Sequence, residues 1–245
     1  MAEVRARTSC ANDTPRCAAM TPSVNLLFTD VWTNPAVRAP DPALSYSYTD
    51  PTFTTPAPTA DACRTTWTAT CRIVINYTQH IQPLWDKVRQ VTDAMGTVIE
   101  DHTCSRAGCH NTVDDAAAPQ VPGGQLDLQA VPSDDQPLRL RSYQELLFPD
   151  NEQEVNMGAL QDRLVPGPPD ANGNPTQVTV GVGPYLTAGS ARGVLSNQFL
   201  SRFEPGSGST HAGYLSPAEL RLLSEWLDIG AQYFNNPFDP AVPLN

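Results

Sequence analysis

The 245 residues carry 26 acidic side chains against 15 basic ones, a formal net charge of −11 without any basic block, which argues against nucleic acid as a partner. No apolar run is long enough to span a bilayer, the nearest being residues 24–28, so no membrane span is expected. With 24 prolines, 15 glycines and a mean hydropathy of −0.32, much of the chain should run as irregular, turn-rich backbone over a small core.

Residues 1–72 read as an extended, proline-rich arm with short strands. Pro40, Pro42, Pro51, Pro56 and Pro58 forbid a long helix there. The strongest strand candidate is residues 71–77, rich in β-branched and aromatic side chains, with a hairpin stapled by Cys63 and Cys71 leading into it. Ile81, Leu84, Trp85, Val88, Val91 and Met95 then fall on one face at helical spacing, predicting an amphipathic helix with Pro83 near its start and Gly96 at its end. Trp85 in this stripe reads as core.

The next segment is Cys104-Ser-Arg-Ala-Gly-Cys109-His110. Two nearby cysteines with a histidine directly after the second is the order of covalent haem attachment: the thiols add to the porphyrin vinyl groups and the imidazole ligates iron. The common form has two residues between the cysteines, and here there are four. Two other readings stand behind haem. His102, Cys104, Cys109 and His110 offer ligands for a structural zinc, and the two cysteines alone could close a small disulfide loop.

Beyond His110 the chain loosens, with a short apolar pair at Leu126 and Leu128. A second helix is predicted over residues 142–147, stopped by Pro149. Residues 149–187 form a loop insertion with one strand candidate at 177–180. Its Asp170-Ala-Asn-Gly-Asn174 string reads as a turn, because the glycine and the final ligand position do not fit a calcium loop. A third helix is expected over residues 190–203, with Leu195, Phe199, Leu200 and Phe203 as its apolar face. The last helix has Ser216 at the N-cap, Pro217 at its first position and Glu219 completing a capping box. Its apolar side is Leu220, Leu223, Trp226, Leu227, Gly230 and Tyr233, and Asn235-Asn-Pro237 is expected to end it.

Taken together, Ile81-Gln-Pro-Leu-Trp85, Cys104 to His110, Leu126-Asp-Leu128, Tyr143 to Leu147 and the run from Leu215 to Ala231 resemble a class I c-type cytochrome domain of the kind found in larger exported bacterial proteins. The resemblance covers about residues 73–236 and leaves 237–245 as a tail. It implies a mainly α fold with extensive irregular loops around one haem, preceded by the extended or β-hairpin arm. It also implies one haem c held by thioethers to Cys104 and Cys109, with His110 as the proximal iron ligand and electron transfer as the activity. Leu126, Leu128 and Trp226 are candidates for packing on the haem. Such domains often carry a methionine just before the terminal helix, and here that place reads Thr210-His211-Ala-Gly-Tyr-Leu215. On position, His211 is therefore the distal ligand, which implies a lower potential than a histidine/methionine site, and Met157 is the alternative. His80 and His102 read as helix-terminal or exposed histidines.

With both axial positions filled by the protein, the expectation is an electron carrier rather than an enzyme, its partners being redox proteins or neighbouring haem subunits. A homo-oligomer or a place within a larger chain is compatible with this reading. The other reading is a non-haem exported binding module built on the zinc site. Once Cys104 and Cys109 are assigned to haem, Cys10, Cys17, Cys63 and Cys71 remain as an even set for two disulfides, with Cys63 to Cys71 the most local pairing. Disulfides and covalent haem both point to a periplasmic or extracellular location. Residues 1–7 lack the apolar core of a signal peptide, so the leader is expected to be absent from this chain.

Overall fold

The computed structural model describes residues 25–28, 34–37, 39, 44–47, 55–58 and 72–235. The expected disulfides of Cys10, Cys17, Cys63 and Cys71, and the hairpin through the last two, lie outside the described residues. Among those described, β1 (Asn25–Phe28) and β2 (Leu44–Ser47) pair antiparallel, and β2 lies against the C-terminal helix.

The fold is not mainly α. Four short helices, α1 (Gln82–Asp86), α2 (Arg141–Leu147), α3 (Val194–Leu200) and α4 (Pro217–Asp228), share the described chain with ten short strands. The strands form five two-stranded antiparallel sheets. The expectation of a helical cytochrome c-like fold is therefore corrected, and two reasons are visible along the chain: the 149–187 insertion is built of short hairpins, and at residues 81–95 turn chemistry closes a hairpin where apolar spacing alone suggested helix.

The segment 81–95 shows this most directly. A single π-type turn, Tyr77–Ile81, leads into α1, which stops after Asp86. Then β3 (Gln90–Thr92) and β4 (Val98–Asp101) form a hairpin. The Asp93 carboxylate accepts from the backbone N–H of Met95 at 2.8 Å and of Thr97 at 2.9 Å, and Gly96 takes φ +84°. That turn, flanked by β-branched residues, outcompetes helix continuation. Val88, Val91 and Met95, expected on a buried stripe, are consequently exposed.

Residues 72–76 do not form the expected strand. Ile75 and Tyr77 are buried by side-chain packing, and the Tyr77 N–H donates to the Tyr233 carbonyl at 3.0 Å. Between residues 150 and 182, β5 (Asp150–Asn151) pairs with β10 (Gly181–Val182) around two further hairpins. These are β6 (Gln153–Asn156) with β7 (Ala159–Asp162), and β8 (Leu164–Gly167) with β9 (Thr176–Thr179). The 170–174 string is the turn joining β8 and β9, its Asp170 carboxylate accepting the Asn172 and Asn174 amides at 2.8 Å each.

The last helix has its capping box: Ser216 Oγ accepts from the Glu219 N–H at 3.2 Å, and Glu219 Oε2 accepts from the Ser216 N–H at 2.7 Å. It ends sooner than expected, at Asp228. Gly230 adopts φ +104°, its N–H donates to Leu227, and the Ala231 N–H donates to Trp226, which is a Schellman ending. Gly230 is therefore a helix stop rather than a helix-packing residue. The core joins α4 to the start of the described globule through Tyr77, Trp85, Leu146, Leu222, Leu223, Trp226 and Leu227. Among the described residues no helix is long and apolar enough to cross a membrane.

Candidate functional site

The attachment-like loop is fixed at its start to α1, where Ser105 Oγ donates to Asp86 at 2.6 Å and the Ser105 N–H donates to the Trp85 carbonyl at 3.2 Å. The four residues between the cysteines bulge outwards, and the His110 N–H returns to the Cys104 carbonyl at 3.1 Å. Gly108 stands at φ +78° with the Asp115 carboxylate 3.0 Å from where a Cβ would lie, so the bulge requires glycine twice over. Arg106 closes the bulge by donating to Asp115 at 2.9 Å and to the Asp101 carbonyl at 2.9 Å.

Residues 123–128 lie alongside. The Gly123 N–H donates to the Cys109 carbonyl and the Leu128 N–H to the His110 carbonyl. The His110 ring sets its Nδ1 3.0 Å from the Leu126 carbonyl, so Nδ1 carries the proton and the lone pair resides on Nε2. Across from it, the His211 ring lies 5.8 Å away between centroids. His211 is held by a turn in which its N–H donates to Ser209 Oγ and the Gly213 N–H donates to the Phe203 carbonyl, with Phe203 edge-on at 5.9 Å. Burial lowers the pKa of both imidazoles, and at His211 the Arg202 charge lowers it further, so both rings are neutral at neutral pH. Burial pushes the Cys104 thiol up to about 11.

These two histidines line one open cleft with a volume of about 200 Å³. Trp85, Leu126, Leu128, Phe199 and Phe203 form its apolar wall, with Cys104 at one side. Gln198 and Arg202 stand exposed at the mouth, and Tyr185 donates from its hydroxyl to the Gly124 carbonyl at 2.6 Å.

Not every expected residue comes to this place. Cys109 is partly buried and outside the cleft wall. Trp226 is fully buried away from it, donating from Nε1 to the Gln232 carbonyl at 3.0 Å and packing on Tyr77. Trp85 is core as expected and one side of it also lines the cleft, whereas Trp226, expected against the haem, is core alone. Met157, at φ 51° in the two-residue turn of the β6–β7 hairpin, is fully exposed and takes no part in the cleft, which removes it as an axial candidate. His80 is buried against Asn76, its Nδ1 3.1 Å from that residue's amide. His102 contacts Glu100 at 2.8 Å and stacks on Tyr214 at 4.1 Å. Among the described residues no three His, Cys, Asp or Glu side chains gather as a metal-binding group, so His102, Cys104, Cys109 and His110 do not form the cluster the zinc alternative needs.

The apolar face of Phe199 and Phe203 was legible from spacing, but its meeting with Trp85 was not. Arg202 and the Gly123-Gly124 pair left no sequence signal. Compared with protein-family models, with curated proteins and with solved structures, the chain matches none.

Proposed function

We propose that this chain is an exported single-electron carrier holding one haem c, with thioethers to Cys104 and Cys109 and with His110 and His211 as the axial ligands. The observation that carries the reading is the pairing of His110 and His211, distant in sequence, at 5.8 Å across an apolar cleft that also presents Cys104. Two imidazoles each ~2 Å from a shared ion stand with ring centres about 6 Å apart, so the donor set fits an iron between them. A haem supplies a one-electron couple when bound.

The chain's own groups do the rest. The Leu126 carbonyl fixes the His110 tautomer and makes the imidazole a better donor. Trp85, Leu128, Phe199 and Phe203 give the cleft an apolar wall, which would lower the dielectric around a group held there. With protein ligands on both sides no position is left for a substrate, which favours electron transfer over catalysis. Redox proteins or neighbouring haem subunits are the matching partners, and a periplasmic or extracellular location the matching compartment.

The test is production in a host that attaches haem c, followed by acidified-solvent extraction and mass measurement. A visible spectrum that survives extraction, with the mass of one haem added, is the expected result. A colourless protein, or haem that extracts fully, would overturn the reading. His211→Ala should convert a low-spin spectrum to a high-spin one, and an unchanged spectrum would remove His211 as the distal ligand.

A further inference from the structure

His102 lies outside both the cleft wall and the core, at the foot of the β3–β4 hairpin, where its N–H donates to the Arg89 carbonyl at 2.8 Å. The hairpin itself packs little, with Val91, Met95, Val98 and Ile99 all exposed. The His102 ring, in contrast, lies flat on Tyr214, with centroids 4.1 Å apart and planes 11° from parallel, and its Nε2 is 2.8 Å from the Glu100 carboxylate. Phenol ring and carboxylate together fix the imidazole, although its side chain is 25% exposed.

Tyr214 closes the turn that carries His211. Its N–H donates to the His211 carbonyl at 3.0 Å and its ring meets the His211 ring at 5.5 Å. Among the described residues, every hydrogen bond of residues 207–214 stays within residues 202–214. Gly206, Gly208 and Gly213, all at positive φ, have open space where a Cβ would stand, so packing does not wedge the backbone around the turn. The ring contacts that reach other segments are His211 with His110 and Tyr214 with His102. The first is given up when a metal stands between the imidazoles, which leaves the Tyr214–His102 stack as the aromatic tie between this turn and the hairpin.

We propose that His102 is a positioning residue for His211: its stack on Tyr214 holds the turn against the hairpin and governs how readily His211 withdraws from the cleft. The consequence for iron rests on the axial roles proposed above for His110 and His211; the effect on the turn does not. With the stack intact, His211 stays over the cleft and the sixth position is closed to small ligands. Without it the turn opens more often, and a neutral diatomic ligand can take the place of the imidazole. A side chain that touches neither iron nor porphyrin thereby decides whether the site serves electron transfer alone or binds small ligands as well.

Hydrogen–deuterium exchange on the full haem-free chain reads the turn directly. In His102→Ala the amides of Ala212, Gly213 and Tyr214 should exchange about fivefold faster, the worth of one stacked ring pair, while the Leu128 amide, bonded to the His110 carbonyl, keeps its wild-type rate. His102→Phe, which keeps the stack without the Glu100 contact, should restore most of the protection, and Ile99→Ala at an exposed position of β4 should change nothing. In the haem-loaded chain, reduced and mixed with saturating carbon monoxide, the rate of binding reports the departure of His211. It should rise about fivefold in His102→Ala and fall back in His102→Phe. Unchanged exchange in His102→Ala, equal acceleration at Leu128, or no rescue by phenylalanine would overturn the proposal, as would faster exchange with an unchanged carbon monoxide rate. A chain that takes up no haem overturns the reading of the cleft instead, and the exchange result then decides the role of His102 by itself.

Discussion

Glu145 shows how much one buried side chain reports about its surroundings. Burial, then the charges of Asp150 and Asp127, push its carboxyl up to about 8 from the ordinary 4.5. The folded chain therefore binds a proton that the unfolded chain has lost, and stability from this group is fully present below pH 4.5 and drains away as pH rises to about 8. The slope is at most about 1.4 kcal/mol per pH unit across that window. Urea unfolding of the wild type at pH 5, 6.5 and 8 should show the decline, and Glu145→Gln should flatten it. Equal slopes in the two proteins would mean that Glu145 titrates as an exposed carboxyl does. The histidines behave in the opposite sense: burial lowers the pKa of both His110 and His211, which leaves them as neutral donors on the cleft. That His110 follows a cysteine was readable from the sequence. That its ring turns to the Leu126 carbonyl and faces His211 was not, because nothing local sets the distance between two loops so far apart in the chain.

At the scale of elements, the start of α4 joins local grammar to tertiary structure. Glu219 is 1% exposed, completes the capping box with Ser216, and accepts from Lys87 Nζ at 2.8 Å and from Arg89 at 3.2 Å. Arg89 also donates from its backbone N–H to Thr103 Oγ, next to Cys104. Removing the cap alone by Ser216→Ala should cost about 1 kcal/mol. Glu219→Gln should cost more, about 3 kcal/mol, because it leaves two largely buried cations without their carboxylate. Chemical denaturation of both variants checks the order, and equal costs would show that the ion pairs contribute nothing beyond the cap. Elements announced by adjacent residues were legible: α2, the helix leading to Phe203, the β9 strand and the α4 cap all stand near their expected places. The 81–95 helix was not, because helical spacing of apolar residues and a strong Asp93–Gly96 turn compete for the same stretch. The end of α4 was misread for a related reason, since Gly230 suits both a close helix contact and a left-handed stop.

For the molecule as a whole, the core and the hairpins are separate investments of sequence. Trp85, Trp226, Tyr77 and the buried leucines of α4 form one cluster, whereas the β8–β9 hairpin exposes most of its side chains, Leu164 and Val178 included. Replacing residues 168–175 with Asn-Gly, which suits the facing pair Gly167 and Thr176, should change stability by no more than about 0.5 kcal/mol. Leu227→Ala, at a fully buried position, should cost about 2–5 kcal/mol in the same assay. A large loss from the loop replacement would show that the hairpin belongs to the core after all. By itself the sequence determined what depends on neighbours within a turn or two: the turn-rich chain, the capped terminal helix, the bulged Cys104 to His110 loop and the acidic surface. Only the tertiary structure decided the short, hairpin-rich architecture, which tryptophan faces the cleft, the meeting of His110 with His211, and the enclosure of Glu145 among carboxylates. Those depend on which distant segments come to lie together, and burial and long-range packing settle that, not the periodicity of any one stretch.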